Sequence, residues 1–215
     1  PPGTLANNFW PAFGNTLFFT LVTVLLETIL GIGMALVMAK DFHGRGLLRA
    51  AVLVPWAIPT AITAKLWAFL FSEQGIVNSI FHAHVAWQTD PWAARFSIIL
   101  ADVWKTTPFM ALLILAGLQM IPKDLYEAAR MDGANAWQRF TRITLPLAKN
   151  SIIVAVLFRM LDALRMYDLP YIMVGPNPDS PTATLSQLVV AAIRQDHVNA
   201  ASALSTLLSL IHISE

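Results

Sequence analysis

The run from Thr16 to Ala39 carries a single charge, Glu27. A membrane-crossing helix needs about 20 consecutive, mostly apolar residues, so this run is long enough to cross. Three more runs do the same: Leu47 to Phe71, Phe96 to Met120 and Leu147 to about Val174. A fifth begins near Asn199 and stays incomplete through Glu215. Lipid offers backbone amides no hydrogen bonds, and runs of this length satisfy them as helices. The expected fold is an all-α, polytopic bundle, one transmembrane domain over residues 1–215. Composition agrees. The chain is 56% hydrophobic and only 13% charged, where soluble domains carry about 25% charge.

The loops set an orientation. Lys40, Arg45 and Arg49 crowd one short loop against Asp41, and Lys123, Arg130, Arg139, Arg142 and Lys149 crowd another. Basic loops stay in the cytoplasm, and two such loops separated by two spans are mutually consistent. Ser72 to Arg95, with Trp87 and Trp92, is then external. Pro1 to Asn15 is read as lying flat at the surface with Trp10 as anchor, and Thr182 to Arg194 as a short external amphipathic helix. Pro1-Pro2-Gly3 looks like the middle of a loop, which suggests a fragment. Ser209 to Glu215 does not continue the last span in this reading. The net charge of +1 gives no bulk attraction for nucleic acid, and the absence of cysteine removes thiolate metal sites. His82 and His84, two apart in the external loop, are read as solvated residues.

Charges inside spans are costly and face a bundle interior or a water-filled cavity. Arg159, Asp162, Arg165 and Asp168 stand three apart, a spacing that lets neighbours on a helix pair. Asp102 and Lys105 repeat it, beside Thr106. Pro55 and Pro59 should kink the second span and free carbonyls. Trp56 and Thr60, four apart around Pro59, are expected on one face. Asp, Arg, Lys and Thr offer donors and acceptors for hydroxyls, and Trp offers a flat apolar face. Internal salt bridges that fix helix packing explain the charged residues equally well.

Between the third and fourth spans, residues Pro122 to Pro146 break the apolar pattern. Pro122 suits a helix's first turn, Asp124 and Glu127 place negative charge at its positive end, and Gly133 can take positive φ and end it. Ala128 and Ala129 leave a low surface that another protein could approach. Ala134 to Thr144 reads as a second short helix, with Pro146 starting the next run.

This stretch resembles the EAA loop of ABC-importer permeases. Glu127-Ala128-Ala129, three residues, Gly133, nine residues, then Ile143-x-Leu145-Pro146 meets every fixed position of that pattern. The resemblance implies a cytoplasmic loop that docks into a cleft of the ATPase subunit through Glu127, Ala128, Ala129, Asp132, Gly133, Ile143, Leu145 and Pro146. Asp132-Gly133-Ala134 and the segment Phe158 to Asp168 are similar to the carbohydrate branch of the maltose and trehalose type. That similarity implies sugar contacts at Trp56, Thr60, Asp102, Lys105, Thr106, Asp162 and Arg165. The loop Gly175-Pro176-Asn177-Pro178 departs from the commoner Gly-Gly-Pro form.

The chain contains no G-x-x-x-x-G-K-[ST] phosphate cradle. The resemblance therefore implies a non-catalytic translocation subunit in a bacterial cytoplasmic membrane, with ATP and Mg on a separate ATPase dimer. It also implies a second homologous permease, an extracytoplasmic solute-binding protein and at least one preceding span. A permease for another solute, such as a polyol phosphate or an amino acid, is the alternative within that class. An ion-coupled secondary transporter, with the charged pairs as its ion site, is the alternative outside it.

Overall fold

The computed structural model describes residues 2–82 and 84–213, and among them every regular element is helical. Three stretches are long and apolar enough to cross a membrane: Asn7–Met38, Pro91–Gln119 and Ala136–Ala163. Helix packing divides the chain into two compact units.

The first unit comprises Pro1–Val24, Ile58–Lys105 and Met160–Glu215. It holds the N-terminal part of α1 (Pro2–Met38), then α3 (Thr60–Leu70), α4 (Ile76–Phe81) and the first half of α5 (Pro91–Gln119). It also holds α9 (Asp168–Met173), α10 (Leu185–Arg194) and α11 (Val198–Ile213). Phe19, Ala64, Phe71, Ile98, Ala101, Met166, Leu169 and Met173 form one core, and Ala12, Leu185, Leu188, Ala192 and Ala201 a second.

The first turns of α1 do not lie apart as a surface segment. The helix runs unbroken from Pro2 through Pro11 into the apolar run. Packing holds it there: Asn15 Nδ2 donates to the Ala183 carbonyl at 2.9 Å, and Leu185 N donates to Thr16 Oγ1 at 3.0 Å. Residue 1 lies outside the described residues. At the other end α11 continues through Ser209 to Ile213, beyond the expected end of the span, and the hydroxyls of Thr206 and Ser209 donate to the Ser202 and Ser205 carbonyls one turn back. Ser214 and Glu215 lie outside the described residues. The loop between α3 and α5 is more structured than expected. Asn78 joins it to itself, donating to the Glu73 and Val85 carbonyls and accepting from Trp87 Nε1 at 2.7 Å.

The second unit comprises Leu25–Ala57 and Thr106–Arg159. Here α1 ends, α2 (Arg45–Ala57) follows, and the second half of α5 leads into α6 (Lys123–Met131). Then α7 (Ala136–Arg139), a π-helical turn over Phe140–Thr144 and α8 (Leu145–Ala163) run on as one helix. The second short helix expected up to Thr144 is thus no separate element. Pro146 falls just after the π-helical turn inside this continuous run, and the helix passes through it. Ala35, Met38, Met110, Ala111, Ile114, Leu115 and Ala155 form the core. A Cβ on Gly117 would meet Ser151 Oγ at 2.2 Å, so α5 and α8 approach at a distance only glycine permits.

Candidate functional site

The loop of residues 122–146 lies in the second unit. Pro122 is the cap of α6, with φ −59° and ψ 134°, one place before the helix proper. Asp124 sits in the first turn and Arg130 in the last, both favourable to the helix dipole. Gly133 has φ +77°, the left-handed conformation that stops the helix and that a β-branched residue resists. Asn135 then caps α7: its side chain accepts from Gln138 N while the Gln138 side chain accepts from Asn135 N, each at 2.8 Å. Tyr126 and Thr144 hydroxyls bond at 2.9 Å and tie α6 to the helix that follows. Arg139 donates to the Ala134 carbonyl.

These bonds hold the loop and leave its surface open. Glu127, Ala128, Asp132, Gly133, Leu145 and Pro146 are exposed; Ala129 and Ile143 are half-buried. Ala129, Asp132, Gly133, Ala134, Gln138, Arg139, Arg142 and Ile143 line a cleft of about 320 Å³. Sequence reasoning missed the apolar residues around it. Met131 is 88% exposed and Trp137 70%. Large apolar side chains held in water mark an interaction surface, and their place on the polar side of the helical pattern was the available signal. On the same unit, Lys123 pairs with Asp41 at 3.3 Å and Arg45 pairs with Asp41 as well. The two cations hold the Asp41 carboxyl below its ordinary range, Lys123 most strongly.

The expected solute-contacting residues divide between the units. In the first unit, Lys105 Nζ donates to the carbonyl of Ile58. Pro59, with φ −54° and ψ 137°, stands at the break before α3, and a proline can supply no N–H to the turn behind it. Asp102 and Asp162 both attract the Lys105 ammonium electrostatically. The fold therefore brings the charge of Asp162, on α8, to bear on Lys105, which shares α5 with Asp102. Thr60 begins α3 and is half-buried. Arg165 lies in the turn beyond α8 and lines a cavity of about 670 Å³ with Tyr167, Ser186, Val189, Val190, Ser205, Leu208 and Ser209. Tyr167 stacks on Tyr171, rings 4.9 Å apart, and Arg194 donates to Tyr171 Oη at 2.9 Å.

Two expectations fail here. Trp56 lies in the last turn of α2, which ends at Ala57, and Thr60 opens α3, so the break at Pro59 separates them and they share no helix face. Trp56, in the second unit, stacks on Phe109 at 5.7 Å. The charged row from Arg159 to Asp168 is no i,i+3 ladder either. α8 ends at Ala163 and α9 starts at Asp168, which puts Arg165 and Asp168 off the helix that carries Arg159 and Asp162. Arg159 pairs with Glu27 at 2.6 Å, with both side chains buried. Thr106 donates its hydroxyl to the same carboxylate at 2.5 Å. Among the described residues no group of three or more His, Asp or Glu is placed to hold a metal ion.

The long apolar helices, the proline-broken span and the projecting loop define an all-helical membrane permease domain. The chain belongs to the family of binding-protein-dependent transport system inner membrane components, whose model matches residues 27–214. It is 45% identical over 214 residues to the trehalose/maltose transport system permease protein of Thermococcus litoralis, covering 97% of this chain and 72% of that one. It is 42% identical over 186 residues to the sulfoquinovosyl glycerol transport system permease protein of Agrobacterium fabrum, covering 84% of this chain and 60% of the relative's length. A solved bacterial ABC transporter involved in import of the acidic polysaccharide alginate superposes with a TM-score of 0.86 at 26% identity, over 96% of this chain and 76% of that one.

Proposed function

We propose that this chain is the translocating permease subunit of an ATP-driven importer in a bacterial cytoplasmic membrane, and that its solute is a di- or oligosaccharide of the trehalose type. Support for the sugar comes from the relatives, whose names specify trehalose/maltose and sulfoquinovosyl glycerol. Support for the binding protein comes from the family description. The subunit is itself non-catalytic: ATP and Mg are held and hydrolysed by a partner ATPase dimer, and the pathway is shared with a second, homologous permease.

The observation that carries the reading is the loop. An exposed Glu127-Ala128 face, a left-handed turn at Gly133, a cleft floored by Ala129 and Ile143, and bare Met131 and Trp137 sit on one rigidly capped helix pair. This geometry suits docking into a cytoplasmic ATPase. ATP then biases one state of the ATPase dimer, and the docked loop passes that bias to the spans. In the first unit the Asp102–Lys105–Asp162 cluster offers charged acceptors and donors to sugar hydroxyls, with Thr60 and Arg165 as further contacts.

The test is Gly133→Val in the assembled transporter. The left-handed conformation costs a β-branched residue about 1–3 kcal/mol, so the loop distorts. Uptake is expected to fall at least about tenfold with the ATPase co-purifying poorly. Wild-type uptake with normal co-purification would remove the docking role.

A further inference from the structure

Three polar side chains meet in the interior of the second unit. Arg159 of α8 donates through Nε to Glu27 Oε2 at 2.6 Å and through Nη2 to Glu27 Oε1 at 3.1 Å. Thr106 of α5 donates to that Oε1. The Arg159 side chain is 2% exposed and that of Glu27 0%. One point therefore joins α1, α5 and α8. Two opposite charges taken out of solvent are held here by two charge-assisted hydrogen bonds, and separating them breaks both inside the protein. Such a contact has little give. A shift of α8 either carries α1 with it or breaks the pair.

α8 is also the far end of the lever that begins at the loop. Residues Ala136 to Ala163 are one helical run. From Thr144 to Arg159 that is a rod of about 22 Å at the helical rise. The rest of the unit leaves little slack: Gly117 seats against Ser151, and Ala35, Ala111 and Ala155 are fully buried.

We infer that Glu27 and Arg159 are positioning residues for transport, the contact through which displacement of the loop reaches α1, so that α1, α5 and α8 move as one body in this unit. The inference rests on the proposed docking of the loop to an ATPase. A pair that merely holds the fold together makes a different prediction, and the two separate by experiment.

Both measurements use the complete transporter in lipid vesicles, with trehalose as the sugar. The first replaces both charges together, Glu27→Met with Arg159→Met, so that neither member of the pair is left without the other. A positioning role predicts an assembled complex with near-normal thermal stability whose ATP consumption per sugar imported rises at least about tenfold, a typical coupling loss. A normal ATP-to-sugar ratio in that variant overturns the inference. The second leaves the pair intact. The chain has no cysteine, so Val37→Cys on α1 and Val154→Cys on α8, both exposed, accept spin labels without competition. Their separation should stay constant within about 2 Å, the scale of ordinary helix shifts, whether ATP is present or not. A larger change overturns the inference, and this distance decides alone if the double variant does not assemble. If Gly133→Val leaves uptake and ATPase binding untouched, the docking proposal fails, while the label distance still reports on α1 and α8.

Discussion

Glu27 and Arg159, in the second unit, answer each other one to one, with Thr106 completing the acceptor. In the first unit Lys105 faces two carboxylates, Asp102 and Asp162, and a backbone carbonyl left at the Pro59 break. One cluster sets one positive charge directly against one negative charge. The other sets one ammonium among two carboxylates and a backbone carbonyl. A closed pair suits a part that must transmit force without changing partners. An acceptor-rich cluster suits a ligand that arrives with hydroxyl donors of its own. The two proposed roles, positioning in one place and recognition in the other, thus draw on the same residue types.

The sharpest way to break this comparison is to remove one member of the closed pair. Arg159→Leu removes the guanidinium paired with buried Glu27, and breaking such a pair costs about 3–5 kcal/mol. The expected result is a large drop in melting temperature or loss of the complex. Gly117→Val in the same unit forces a side chain into Ser151, and overpacking of this kind costs about 1–3 kcal/mol; a melting curve reads it directly. The first unit should respond differently. Asp102→Asn keeps a polar side chain of the same shape, so the expected loss is in trehalose uptake, about tenfold for one charged hydrogen bond of about 1.5–3 kcal/mol. A fall in melting temperature as large as that of Arg159→Leu, with uptake per folded molecule unchanged, would erase the contrast between the clusters.

The smallest effect belongs to Asp41. Its carboxyl is held below the usual value by Lys123 and then Arg45. A depressed carboxylate stabilises the fold fully above pH 3.8 and loses that contribution as the pH falls through the lowered value. All three groups are solvent-exposed, so salt screens them. Asp41→Asn should shift the melting temperature only slightly at neutral pH and low salt, and not measurably at high salt. A large shift would show that the short basic loop anchors α6 more firmly than its exposure allows.

Much of this was legible from neighbouring residues. The apolar run after Thr16 marked α1, and α5 spans Asp102, Lys105 and Pro108 as one helix. Gly133 adopts the positive φ that its place after Asp132 required. Pro59 broke the second span, though the sequence reading still kept Trp56 and Thr60 on one face, because a periodicity drawn through a proline assumes a helix that the proline ends. Glu27 stood out as the single charge in its run. Its partner did not, because Arg159 lies 132 residues away and the spacing of Asp162 and Arg165 offered a nearer choice.

What the residues determined alone is local. Lipid-length apolar runs compel helices, proline removes a donor, glycine accepts a left-handed turn, and all three act within a few residues of backbone. Which side chains meet was decided only by the packing of helices distant in the chain. The rotation of α8 sets Arg159 against Glu27, the end of α8 at Ala163 places Arg165 beside Tyr167 and Ser186, and the approach of α5 to Ile58 gives Lys105 its carbonyl. Such contacts depend on helix rotation and depth, which short-range chemistry leaves open and burial of charge closes.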